Sequence, residues 1–120
     1  MVKKTSKAKD LAVLAAKIAE TTHCCDVVVL DLKGKSPATD YFVIATGTSS
    51  RQLRTVADEI SVQGKAMGFA RFGLAGYEQG EWILLDFVDV VVHLFSEKYR
   101  DYYDLELLWG DAKKVKIENS

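Results

Sequence analysis

Between Ser6 and Thr22 the apolar residues Leu11, Leu14, Ala15 and Ile18 recur at helical spacing, with Lys7, Asp10, Lys17 and Glu20 elsewhere on the wheel. An amphipathic first helix is predicted there. The pattern then changes to a β-branched, nearly continuous apolar run, Val27-Val28-Val29-Leu30-Asp31-Leu32, which predicts a central strand covered on both faces. Lys33 to Asp40, with Gly34, Ser36 and the lone Pro37, is a loop, and Tyr41 to Thr46 is a second strand. That connector is too short for a crossover, so the two strands should be antiparallel if they pair.

Gly47-Thr48-Ser49-Ser50 turns the chain into a second helix, with Ser49 and Gln52 at capping-box spacing. Leu53, Val56, Ala57, Ile60 and Met67 mark its apolar stripe, and Gly68 suits its C-terminal cap. Phe69 to Phe72 is predicted as a short strand, and Gly73, Gly76 and Gly80 punctuate a loop leading to Glu81-Trp82-Ile83-Leu84-Leu85-Asp86. After a turn near Phe87-Val88, Asp89 to Phe95 supplies the last strand, forming a hairpin with the one before. Ser96 can cap a helix through about Tyr103, and Asp104 a further turn to Trp109. Gly110 then opens a tail whose Lys113, Lys114 and Lys116 are expected to be solvated. Five strands among helices place the chain in the α/β class, with no repeat or internal boundary.

A length of 120 residues suits one domain, here 1–120 with a basic arm at about 1–7 and a charged tail at about 111–120. With 16 Lys+Arg against 17 Asp+Glu, the formal charge of -1 provides no global field toward nucleic acid, so any RNA contact must be local. Lys3, Lys4, Lys7 and Lys9 could touch phosphate, although a solvated end is the simpler account. Adjacent Cys24 and Cys25 make a poor disulfide framework and point to a reducing compartment, with the cytoplasm the simplest. No apolar run approaches the ~18 residues of a membrane span, and the start lacks a secretory pattern.

Asp86 and Asp89 with His93 form the nearest approach to an acid/base or metal site. The two aspartates flank a tight turn that favours Asp, however, and a strand histidine is more commonly a hydrogen-bonded core residue. Gly47-Thr48-Ser49-Ser50 ahead of a helix resembles the phosphate-binding entry of nucleotidyltransferases. Those enzymes also need paired carboxylates on the next strand, and none follows here. Arg51 and Arg54 could still attract an anion, although surface arginines on a capped helix are the simpler account. His23-Cys24-Cys25-Asp26 are consecutive and cannot all converge on one tetrahedral ion, so no metal or cofactor is expected. What remains is an aromatic concentration of Tyr99, Arg100, Tyr102, Tyr103, Leu105, Glu106, Leu108 and Trp109, whose composition fits core and partner surface equally.

The segments Val29 to Ser36, Asp40 to Arg51, Trp82 to Asp86, Asp89 to His93 and Arg100 to Trp109, in this order and spacing, resemble the Iojap family of ribosomal silencing factors over about residues 8 to 112. The resemblance implies a five-stranded mixed sheet flanked by helices, with a nucleotidyltransferase-like topology that lacks the catalytic carboxylates. It also implies a non-enzymatic repressor that binds the large ribosomal subunit at ribosomal protein fourteen and blocks joining of the small subunit. Trp82 is expected to join Tyr99, Arg100, Tyr102, Tyr103, Leu105, Glu106 and Trp109 in the partner surface, with a minor rRNA contact and a homodimer as further options. The alternatives are a divergent metal-dependent nucleotidyltransferase using Asp86, Asp89 and His93, or a dimerisation or assembly module in ribosome biogenesis. Two departures from the family pattern are the Cys24-Cys25 pair and Val88, which stands where a glycine is expected.

Overall fold

The computed structural model describes residues 4–35, 39–102 and 112–117. The elements run α1 (Lys4–Thr21), β1 (Cys25–Asp31), β2 (Tyr41–Gly47), α2 (Ser50–Ala66), β3 (Gly73–Ala75), β4 (Trp82–Asp86), β5 (Val90–Ser96), α3 (Glu97–Tyr102) and β6 (Lys113–Val115). One six-stranded sheet has the order β3-β4-β5-β2-β1-β6. β1 and β2 are antiparallel as their short connector requires, and β4 and β5 form the expected hairpin. β2 pairs with β5 in parallel, from Tyr41 opposite Val90 to Gly47 opposite Ser96, which makes the sheet mixed.

Two features correct the sequence reading. Among the described residues the sheet has six strands rather than five, because the lysine-rich tail pairs with β1 through Val29 opposite Val115 and Asp31 opposite Lys113. Hence β1, expected at the centre, lies one strand from the edge, although Val29 and Leu30 are buried on opposite faces as predicted. The strand expected at Phe69 to Phe72 instead starts at Gly73. The Phe69 amide is drawn back to the Gly64 carbonyl at the end of α2, and pairing begins only where the Phe72 amide reaches the Asp86 carbonyl.

Period-two alternation divides the sheet into two faces. Tyr41, Val43 and Ala45 of β2, Ile83 and Leu85 of β4, and Val90, Val92 and Leu94 of β5 pack under α1 and α2. From α1 come Ala8, Leu11, Ala12, Ala15, Ala16, Ile18 and Ala19, small enough to bring the helix close to the strands. The α2 stripe is Leu53, Val56, Ala57, Ile60 and Gly64, with Phe87 and Leu11 against the glycine. The Ser49 cap accepts from the Gln52 amide, and Gln52 Oε1 accepts from the Thr48 amide, so Gln52 links the β2–α2 turn to the cap. Both helices end in a left-handed residue with a return bond across five positions: His23 at φ 69 beside Cys24 N–H to Ala19, and Gly68 at φ 94 beside Phe69 N–H to Gly64.

The β4–β5 turn explains the sequence departure at Val88. This residue has φ 74 and is exposed, with its amide donating to Asp86 Oδ1 at 2.7 Å and Asp89 N–H returning to the Phe87 carbonyl. A β-branched side chain in the left-handed region costs about 1–2 kcal/mol, partly offset by the smaller backbone freedom of valine in the unfolded chain. Val88→Gly is therefore expected to raise stability by about 0.5–1 kcal/mol. Urea unfolding checks this: an unchanged or lower midpoint would show that the turn is not strained by its side chain.

Candidate docking face

The face of the sheet opposite α1 and α2 follows from the same alternation. Cross-strand register brings Phe42 beside Val91, Leu84 beside His93, and Trp82 beside Phe95. Leu30, Leu32, Ile44 and Phe95 are fully buried on this side, packed with Val28, Phe42, Trp82, Tyr99 and Ala112. Phe42, Trp82, Leu84 and Val91 are half-buried. These four lie on adjacent strands β2, β5 and β4, and together they form an aromatic and aliphatic surface on a rigid sheet.

His93 is the polar centre of that surface. Its Nδ1 accepts the Trp82 indole N–H at 3.2 Å, which fixes the tilt of the indole. Phe42 meets the imidazole edge-on at 4.7 Å between centroids, and Phe95 lies parallel to it at 6.0 Å. With Nδ1 accepting, the neutral ring carries its proton on Nε2, a buried atom with no hydrogen-bond partner among the described residues. Burial pushes the imidazole down from 6.5 to about 4, so it is neutral at physiological pH. The expectation of a buried, hydrogen-bonded strand histidine is met.

The remaining acid/base candidates are used locally. Asp86 Oδ1 holds the Val88 amide, and the Asp89 carbonyl accepts from the Asp40 and Tyr41 amides, tying the hairpin to the start of β2. Among the described residues no group of three or more metal-binding side chains converges. Cys24 and Cys25 are free thiols, half-buried and exposed respectively. Burial, and then the neighbouring Cys25, raise the Cys24 thiol to about 11, which leaves it a poor nucleophile.

Of the eight residues expected at the partner surface, the structure places Trp82, Tyr99 and Arg100 with described side chains. Trp82 stacks on Phe95 at 5.1 Å between centroids. Tyr99 packs into the same buried cluster, and its amide donates to the Ser96 cap at 3.3 Å. Arg100 Nη1 donates to Thr46 Oγ1 at 2.8 Å, pinning α3 to the end of β2. Tyr102 ends α3 with its side chain outside the described residues, and Tyr103, Leu105, Glu106 and Trp109 lie outside them altogether. Sequence reasoning missed Phe42, Leu84 and Val91. Their alternation was visible, but the parallel β2–β5 register that gathers them was not.

The family described as ribosomal silencing factor during starvation matches residues 5–120. The ribosomal silencing factor of Halalkalibacterium halodurans is 40% identical over 110 residues, covering 92% of this chain and 94% of that protein. The factor of Bacillus subtilis is 38% identical over 110 residues, covering 92% and 93%. The crystal structure of a Chromobacterium violaceum protein superimposes with a TM-score of 0.81 at 35% identity, covering 93% of this chain and 92% of that one.

Proposed function

The chain belongs to the ribosomal silencing factor family, as the Iojap resemblance indicated, and from that premise we propose that it represses translation by docking on the large ribosomal subunit and blocking the small one. The proposed contact is large-subunit ribosomal protein fourteen, as the resemblance implies, and the proposed compartment is the cytoplasm. Inhibition is steric and needs no turnover, in keeping with a regulatory family and with aspartates and a histidine already engaged in the hairpin and the aromatic cluster.

The observation that carries this reading is the half-buried surface of Phe42, Trp82, Leu84 and Val91 on a sheet whose other face is filled by helices. Apolar side chains on rigid strands lose little entropy on docking, and tryptophan ranks high among interface anchors. A short helix held to the end of β2 by Arg100 and Thr46 carries Tyr99 into the buried cluster beneath this surface.

Sedimentation with isolated subunits tests the proposal. The chain should travel with the large subunit and not the small, and should lower the yield of joined ribosomes when the two are mixed. Migration with neither subunit, or with the small one alone, removes the ribosomal reading. Large-subunit binding that leaves joining unchanged removes the steric mechanism.

A further inference from the structure

The two lysine-rich ends of the chain, separate in sequence, meet at one edge of the sheet. β6 pairs with β1 beneath α1, and a groove of about 470 Å³ opens between helix and strand. Lys9 and Lys17 of α1 and Lys116 beyond β6 rim this groove. Its floor is apolar, made by Val13, Leu14 and Val115, and among the described residues Asp10 is its only carboxylate. Three lysines against one carboxylate make the described lining two charges positive in a chain of net charge -1.

We propose that this groove binds the phosphate backbone of RNA, independently of base sequence, as a second contact beside the apolar docking face. The partner class follows from the side chains present. Lysine is a compact point charge suited to phosphate, and neither α1 nor β6 contains the arginine fork that would add bidentate recognition of one particular group, which fits a contact independent of base sequence. Neither contains an aromatic residue on which bases could stack. A duplex backbone, met through phosphates alone, suits such a surface best. That the polymer is RNA, and that it belongs to the large ribosomal subunit, rests on the function proposed above; the preference for a phosphate backbone does not.

The test compares the parent with the triple variant Lys9→Gln, Lys17→Gln, Lys116→Gln and with a control pair, Lys65→Gln and Arg71→Gln, near the opposite sheet edge. Binding of each full-length chain to large subunits and to a mixed-sequence RNA duplex is measured from about 50 to about 200 mM KCl. Neutralising phosphates releases counterions, so the triple variant should lower the log–log salt slope by up to about 3 for both targets, whereas the control leaves it unchanged. Equal slopes for parent and triple variant overturn the proposal. A slope that falls on subunits but not on duplex RNA also overturns it, assigning the groove to an acidic protein. Groove-dependent duplex binding without any subunit binding upholds the RNA contact and removes the ribosomal reading instead.

Discussion

Alanine at Trp82 is expected to weaken binding to the large subunit by roughly thirtyfold, the equivalent of about 2 kcal/mol for the loss of one aromatic anchor. The indole lies at the junction of the proposed surface, stacked on Phe95 and bonded to His93, so its removal takes away contact area and releases the imidazole beneath it. Part of any loss could reflect disturbed packing, and the thermal transition of each variant must be compared with the parent. Trp82→Phe keeps an aromatic ring over Phe95 while deleting the indole N–H. It should retain most of the affinity if burial of the ring is what the partner recognises. Leu84→Lys tests the same surface without removing a ring from the aromatic stack, because Leu84 is half-buried and aliphatic, and its thermal transition shows whether the neighbouring His93 is disturbed. Binding and inhibition of subunit joining should fall together. Should folded Trp82→Ala and Leu84→Lys both bind like the parent, the docking face lies elsewhere on the molecule.

Acidification is expected to cost the protein about 2 kcal/mol of stability between pH 7 and pH 5 through His93 alone. Burial holds the folded-state pKa at about 4, below the ordinary 6.5 that applies once the chain unfolds. Between these values the unfolded state binds the extra proton, so stability is full above about 6.5 and drains away as the pH falls toward 4. Protonation would also convert Nδ1 from acceptor to donor and break the bond from Trp82. Trp82 fluorescence should therefore respond over the same range. His93→Phe places a hydrocarbon ring among Phe42, Phe95 and Trp82, and should flatten most of this pH dependence. If urea unfolding of parent and variant loses stability equally from pH 7 to pH 5, the buried imidazole is not the responsible group.

Local chemistry in the sequence made much of the architecture legible. The capping residues Ser49 and Gln52 marked the start of α2, Gly68 its end, and the short connector the antiparallel β1–β2 pair. Even Val88 was visible as a residue at a glycine position, and its φ of 74 shows the cause. Non-local pairing was not legible. Nothing in Lys113-Lys114-Val115 distinguishes a solvated tail from an edge strand, since only Val115 is apolar and its partner Val29 lies far away in sequence. The docking face suffered likewise. Trp82 stood out by its side chain, but Phe42 and Val91 become neighbours only through the parallel register, and an alternating strand leaves open which face its partner covers. The aromatic cluster from Tyr103 to Trp109 lies outside the described residues, so its division between core and surface rests with the expectation drawn from its composition.

The parallel pairing of β2 with β5 also orders the assembly of the chain in time. Tyr41 and Val90 must meet across the whole of α2, β3 and β4 before the centre of the sheet exists, and β1 gains its outer neighbour only when residues 113–115 arrive. Contacts so distant in sequence close late, because the entropy of each loop is lost before its pairing is gained. During synthesis the first hairpin therefore waits, with both its edges open, for strands not yet made. Helices α1 and α2 can form early from their own end residues, but the proposed docking surface is complete only once β4 and β5 have followed β2 out of the ribosome.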